Sequence, residues 1–346
     1  MRKWIIGIIL FCLIGLPVTA MEFTAPPAPD AAQKYMPDTE ETFAQGLWHI
    51  IKTAISAIQP ELAGTARICL SVIVVVLLLS ILKSIGKDMS LSIRLTGAVI
   101  LGVLIFEPMG TMVKLGADTV QELSEYCRLL LPVMTAVLAA QGGTTASAAL
   151  YTGTAFFNAL LSTVISRVII PALYIYLCFC IAVCALDHEL LKKLRDSIKT
   201  VMTNLMKWTL YIFTGYISVT GVVSGAVDAS VLKAAKLSIA GAVPVVGGIL
   251  SDATETILVS AGLMKSAAGV YGIFAALSIC VGPFIKIGVP YLLLKFSAGI
   301  TDTLDYKPAA SLVRDFATGM GLVLAMTGTV CVLLLISLVC FMKGLS

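Results

Sequence analysis

The chain has 346 residues, of which 58% are hydrophobic and 13% are charged, with a formal net charge of +4 and a mean hydropathy of +0.99. A soluble domain carries about 25% charged residues, so this composition excludes an ordinary globular surface, and the small net charge gives no basic face for nucleic acid. We expect an all-α fold: a polytopic transmembrane helical bundle in the lipid bilayer, with an N-terminal signal peptide and interfacial amphipathic helices.

Residues 1–20 have the pattern of a secretory signal peptide. Arg2 and Lys3 supply the positive start, Trp4 to Leu16 form the apolar core, and Val18-Thr19-Ala20 is a small-residue cleavage pattern. The alternative is an uncleaved anchor, although the apolar core is short for a membrane span. Cleavage would leave a mature chain that begins at Met21.

Residues 21–64 predict an exported acidic arm that ends in an amphipathic helix. Acidic residues outnumber lysines in this Pro- and Ala-rich stretch. Its second half repeats apolar residues at helical spacing from Phe43 to Ile58, with Trp48 placed to lie near the lipid headgroups. The arm is therefore expected on the side to which the N-terminus is exported.

Residues 65–346 predict a multi-span membrane domain. The loop after the first span carries Lys83, Lys87 and Arg94, and positive loops stay cytoplasmic, so this span should run from outside to inside. The predicted firm spans are 68–82, 95–113, 168–186, 208–227, 268–284 and 322–341.

Two further stretches, 129–140 and 146–166, are marginal as spans. Because the flanking segments already have assigned orientations, these two must either cross together as a hairpin or not cross at all. The sequence favours crossing. This hairpin contains Asn158, a candidate intramembrane polar residue that is expected either to lie at the interface or to join helices.

The stretch from Asp187 to Lys207 predicts an interfacial cytoplasmic helix, since apolar residues keep helical spacing opposite the charges. Anchoring to the membrane surface and docking of a cytoplasmic partner both fit this pattern. The candidate docking residues are Lys192, Lys193, Arg195 and Lys199.

Two places could hold polar function inside the membrane. Glu107 interrupts a span, and Pro108 frees a backbone carbonyl near it, so a polar notch or a position at the interface is expected there. The second place is a broken, small-residue-rich region that predicts a packing or pore element, or a bent packing helix and loop. Its candidate residues are Asp228, Lys233, Lys236, Gly241, Pro244, Gly247, Gly248 and Asp252.

Motifs for catalysis are missing from the sequence. The Gly86-Lys87 pair is followed by Asp88 where a P-loop needs Ser or Thr, and His-Glu-x-x-His and Gly-x-Ser-x-Gly patterns do not occur. Two histidines are too few for a metal cage, and no general base lies near a nucleophile. We expect no enzyme activity, no catalytic or metal-binding residues and no cofactor.

The chain resembles the stage III sporulation protein AE family of endospore-forming bacteria. The likeness lies in the signal and acidic arm, in the long first span after Arg67, and above all in the stretch from Gly225 to Asp252 (GAVDASVLKAAKLSIAGAVPVVGGILSD). The resemblance implies a polytopic subunit of a channel or feeding-tube complex, similar to secretion systems, that links mother cell and forespore and supports late forespore gene expression. It carries over no catalytic residues.

The resemblance also implies partners and a location. The partners would be the other subunits of the stage III sporulation complex, namely ring-forming membrane proteins and a cytoplasmic ATPase-like subunit. The location would be the mother-cell-derived outer forespore membrane. Two alternatives stay open: a stand-alone secondary transporter that uses Glu107 and the Lys233 to Asp252 region, and an assembly scaffold that conducts nothing.

Overall fold

The computed structural model describes residues 26–37, 42–85, 90–140, 144–219, 267–304 and 306–343. The predicted signal peptide, most of the region before Phe43 and the entire stretch from Asp228 to Asp252 lie outside these ranges. All regular secondary structure in the described ranges is helical. The helices are α1 (Asp30–Gln33), α2 (Phe43–Ile85), α3 (Ser90–Ala140), α4 (Thr144–Val164), α5 (Ile170–Leu186), α6 (Glu189–Val219), α7 (Ala267–Asp302) and α8 (Lys307–Lys343).

Five segments in the described part of the chain are long and apolar enough to cross a membrane. They are Phe43–Ile85, Leu91–Ala139, Ser147–Leu186, Gly269–Asp302 and Lys307–Met342. The expectation of an all-α bundle of membrane helices is therefore confirmed. Residues 208–219 of the predicted span 208–227 continue α6, and the rest of that span lies outside the described residues.

The helices are fewer and longer than the sequence pattern predicted. The stretches 95–113 and 129–140 belong to one 51-residue helix, α3, which continues through Pro108 and Pro132. The stretches 146–166 and 168–186 join through a π-helical turn, Ile165–Ile169. Prolines are tolerated in membrane helices when neighbours satisfy the freed carbonyls, so neither proline ends α3. Four stretches that the sequence separates thus belong to two continuous helical segments.

Helix α8 forms the centre of the bundle. In its most apolar stretch 89% of the residues are buried, against 22% in α2. Helices α7, α3, α5 and α4 pack around α8, and α2 lies outside against α7 and α3. The core therefore sits along α8 and leaves one face of α2, α3 and α5 exposed.

Contacts between helices show which residues lie at the same depth. Arg94 of α3 lies 3.8 Å (Nη1 to Oδ2) from Asp187 at the end of α5. Farther along α3, the backbone and side-chain oxygens of Ser124 accept hydrogen bonds from the Asn158 amide of α4. Helix α3 thus runs antiparallel to α4 and α5 in a constant register.

One end of the bundle carries outward aliphatic side chains on three helices, which we call the apolar belt. By the register of α3 against α5, Lys114 lies level with Arg167, about 20 residues and about 30 Å from Arg94 and Asp187. This height equals that of a bilayer hydrocarbon core. The exposed side chains are Leu70, Val74, Leu77, Leu78, Ile81, Leu82 and Ile85 in α2, Leu91, Leu95, Val99, Ile100 and Val103 in α3, and Val168, Ile175 and Leu186 in α5.

Beyond the belt the bundle continues as a projecting part. Helix α3 runs on for about 26 residues after Lys114, which is about 40 Å. Its exposed residues there include Lys114, Asp118, Gln121, Glu125 and Arg128. Exposed Trp208 and Tyr211 of α6 lie near the transition, as aromatic residues do where hydrocarbon meets headgroups.

Candidate functional site

A cluster of charged residues surrounds the turn between α5 and α6, at one end of the belt that we call the basic end. Asp187 ends α5 in the left-handed conformation, φ 51°, which a short polar residue tolerates better than most. The Lys192 ammonium lies 2.9 Å from the carboxylates of both Asp187 and Glu189. These hydrogen bonds raise the pKa of Lys192, and the bond from Lys192 lowers the pKa of Glu189. The turn is thus held in one shape by local ion pairs.

A second ion pair lies deeper in the belt. The Arg195 guanidinium of α6 donates to the Asp315 carboxylate of α8, and their side chains are only 14% and 16% exposed. The Tyr176 hydroxyl of α5 donates to the Asp315 backbone carbonyl at 3.1 Å. Tyr176 lies ten residues before the end of α5, about 15 Å into the belt. Three helices are therefore joined by polar contacts inside the belt.

Two buried polar atoms at this end have no hydrogen-bond partner in the described residues: Arg94 Nε and the Tyr306 hydroxyl. Tyr306 is 3% exposed, and burial first, then the Cys184 thiol, raise the pKa of its phenol to about 12, against a lowering effect of Arg94. The phenol is thus neutral throughout the physiological range. Tyr306 packs between helices, and its hydroxyl makes no hydrogen bond to another described residue.

The tip of the α7–α8 hairpin adds exposed charges at a similar depth. Arg314 of α8 donates to Asp302 at the end of α7, and both are largely exposed. Gly319, one turn after Asp315, lies so close to Met109 of α3 and Leu177 of α5 that an added Cβ would lie 3.1 Å from each side chain. The hairpin tip therefore reaches the level at which α2, α3 and α5 expose aliphatic residues.

The ion pairs and hydrogen bonds of this site can hold the bundle together, because they join helices α3, α5, α6 and α8. A charge at the centre of a membrane helix costs at least about 2.5 kcal/mol, and pairing with a neighbouring helix lowers that cost. Within the described ranges no group of three His, Cys, Asp or Glu residues is placed to hold a metal ion. The site joins helices and presents charge.

The candidate docking residues of α6 separate into two kinds. Lys192 and Arg195 are engaged in ion pairs within the chain, with Asp187 and Glu189 and with Asp315 and Asp196 respectively. Lys193 and Lys199 are exposed. The interpretation of all four as one outward docking surface was too broad, because periodicity cannot show which cation has an internal partner.

The two predicted intramembrane polar groups are not brought together. Glu107 is exposed on the outer face of α3, and Pro108 next to it is half-buried. Asn158 is 2% exposed and joins α4 to α3 by its bonds to Ser124. Glu107 and Ser124 are 17 residues apart on α3, about 25 Å, so one solute site cannot use both Glu107 and Asn158.

Sequence reasoning missed Asp315, Arg94 and Asp187. Asp315 lies in a helix that continues into a strongly apolar stretch, and an ionisable residue there needs a partner. Applied to Asp315, this rule predicts a cationic partner on another helix, and α6 carries several cations. The left-handed conformation of Asp187 has no such signal in a single sequence.

Comparisons with known proteins agree with this architecture. The family model described as Stage III sporulation protein AE matches residues 32–344. A curated relative, "Stage III sporulation protein AE" of Bacillus subtilis (strain 168), is 22% identical over 239 residues, which are 69% of this chain and 60% of the relative. No solved structure matches. Because the family model covers nearly the whole chain, the chain belongs to the stage III sporulation protein AE family.

Proposed function

We propose that this chain is a non-enzymatic membrane subunit of a channel-like, secretion-like complex that links mother cell and forespore during endospore formation. The observation that supports this role is the division of the bundle into a belt one bilayer thick and a projecting part about 40 Å long. The belt anchors the chain, and the projecting part offers helix surface to other subunits outside the hydrocarbon.

The distribution of charge supports an orientation for the subunit. Lys83, Arg94 and Lys193 lie at the end of the belt opposite the projecting part. Because basic residues favour the cytoplasmic side, this end faces the mother-cell cytoplasm. The projecting part then lies on the exported side, in the space between the two membranes, together with the arm before Phe43. The membrane itself is the mother-cell-derived outer forespore membrane.

This orientation assigns a side to each proposed partner. Ring-forming subunits would contact the projecting part, whose outer face on α3 carries Asp118, Gln121, Glu125 and Arg128. A cytoplasmic ATPase-like subunit would contact the basic end, where Lys193 and His188 are exposed. Energy would come from that partner or from a gradient.

The same reasoning assigns a location to the marginal stretches 129–140 and 146–166. The first stretch belongs to the part of α3 that extends about 40 Å beyond the belt, and the second is α4 beside it, so a second crossing of the same bilayer would require a turn that α3 and α4 do not contain. We therefore place them in the projecting part.

The alternative of a stand-alone transporter receives no support from the described residues. Its proposed carboxylate, Glu107, faces outward, and its other proposed element, the Lys233 to Asp252 region, lies outside the described residues. Reconstitution of the purified chain alone in liposomes separates the two functions. Proton-coupled solute uptake by the chain alone would favour a transporter.

The proposed function is tested by deletion of the gene in its own host. We expect engulfment to be completed and a late forespore reporter to stay silent, with few heat-resistant spores. Complementation with an Asp118→Lys/Glu125→Lys double variant should leave insertion intact and reduce reporter activity, because these residues face partners. A Val99→Ile variant in the belt serves as the control. Normal sporulation of the deletion strain would contradict the proposal.

A further inference from the structure

The belt is not apolar on every side. Helices α2, α3 and α5 expose aliphatic residues there. Helix α6 exposes Lys199 besides Leu190, Leu194 and Val201, and α8 exposes Arg314 at a similar depth and Lys307 nearer the basic end. We call these three basic residues the cationic flank. Only Arg314 has an ion-pair partner in the described residues, Asp302, and that pair is itself exposed. Positive charge at this depth is costly in lipid, so the flank needs an acidic or aqueous counterpart.

Glu107 is an acidic residue that needs a cation or water beside its carboxylate. It is exposed on the outer face of α3, between Val103 and the polar residues that begin at Lys114. No ion pair joins Glu107 to another described residue. A carboxylate there costs at least about 2.5 kcal/mol unless a cation or water meets it.

Glu107 lies at about the depth of Lys199 and Arg314 of the flank but on the opposite side of the bundle. Gly319 of α8 packs against Met109 of α3, which places Arg314 within about two turns of Glu107 along the membrane normal. Laterally, α5 packs between α3 and α6, and α8 lies inside them. The chain therefore cannot pair Glu107 with its own Lys199.

We propose that copies of this chain associate head to tail in the membrane plane, with Glu107 of one copy against the cationic flank of the next. All copies inserted in one membrane share the same depth and orientation, so the carboxylate and the cations meet at matching height without any tilt. An interface of two different surfaces is heterologous and builds a ring when its rotation closes. This inference does not depend on the role in sporulation.

Cross-linking in membranes tests the contact directly. In a background with the exposed Cys178 replaced by Ser, the Glu107→Cys/Lys199→Cys double variant should form a ladder of cross-linked species with a short bis-maleimide. Each single variant should give at most a dimer, because a heterologous contact needs one cysteine from each surface. A matched control is Leu78→Cys/Lys199→Cys, which pairs the flank with the lipid-facing side of α2 and should give no ladder.

Charge exchange gives the second measurement. Cross-linking is then followed at a neighbouring pair, Val103→Cys with Thr200→Cys, so that Glu107 and Lys199 can be varied. Glu107→Lys should abolish the ladder, and Glu107→Lys with Lys199→Glu should restore it. Absence of a ladder from the Val103→Cys/Thr200→Cys variant, which keeps both charges, with normal insertion would overturn the proposal, as would a ladder unaffected by Glu107→Lys.

Discussion

Arg195 and Asp315, which are 120 positions apart in the sequence, form an ion pair that joins α6 to α8 at the depth of the belt. Arg195, which the sequence suggested as a docking residue, is therefore paired inside the bundle. The ion pair is one of two polar contacts described between α6 and a distant helix; the other is the hydrogen bond from the Tyr216 hydroxyl to the Ala149 carbonyl of α4.

Loss of one partner of this pair should destabilise the fold. Arg195→Gln leaves the Asp315 carboxylate poorly exposed and unpaired, which should lower the free energy of unfolding by about 3 kcal/mol. Thermal unfolding of the purified protein in detergent measures the effect. Arg314→Gln is the matched control: its pair with Asp302 is exposed, so the cost should stay below about 1 kcal/mol. Equal losses for the two variants would contradict this assignment.

The two buried tyrosines near the charged turns should respond differently to loss of the hydroxyl. Tyr306→Phe removes a buried hydroxyl without a described partner and should be neutral or stabilising by up to about 1 kcal/mol. Tyr176→Phe removes the 3.1 Å bond to the Asp315 carbonyl and should cost about 1 kcal/mol. Thermal unfolding of both variants checks the order. A larger loss for Tyr306→Phe would show that its hydroxyl has a partner.

Substitution of Asn158 should loosen the α3–α4 pair. Asn158→Leu leaves the Ser124 oxygens without their donor inside the bundle and should cost about 1–3 kcal/mol. Ser124→Ala removes only one of the two acceptors, so its cost should be smaller. Unfolding in detergent, together with proteolysis of the hairpin, provides the readout. Wild-type behaviour of Asn158→Leu would refute a joining role for this amide.

Two glycines on the α3–α4 pair offer a packing test. At Gly153 a Cβ would lie 2.0 Å from the Tyr216 ring of α6, so Gly153→Ala forces the ring to move and should cost about 1–3 kcal/mol. At Gly110 nothing lies within 4 Å, and Gly110→Ala should stabilise α3 by up to about 1 kcal/mol. The melting temperatures of the two variants should therefore move in opposite directions from the wild type. A rise for Gly153→Ala would mean that α6 does not pack on α4 as described.

The sequence predicted the helical class and the apolar stretches because both depend on local composition. The belt segments of α2, α3 and α5 coincide with the predicted spans 68–82, 95–113 and 168–186. Helix length was not predictable in the same way. Pro108 and the polar residues from Asp118 to Arg128 look like interruptions in a single sequence, yet packing against α8 and α4 carries α3 through them.

Ion pairs between residues far apart in the sequence could not be predicted either. Lys192 and Arg195 have the same helical surroundings as Lys193 and Lys199, and only the positions of Asp187 and Asp315 distinguish them. Local periodicity assigns a face to each residue of a helix but cannot identify its partner on another helix. Asn158 lies between α3 and α4, where its amide donates to Ser124, whereas the sequence left an interfacial position and a joining role both open.

The measurement that tests the central claim most directly is labelling of single cysteines in intact cells with a membrane-impermeant maleimide. Glu125→Cys lies on the projecting part of α3 and Val99→Cys in the belt, both on exposed positions. We predict rapid labelling of Glu125→Cys from the exported side and protection of Val99→Cys until the membrane is dissolved in detergent. Protection of Glu125→Cys together with labelling of Val99→Cys would place the membrane at the other end of the bundle and contradict the account.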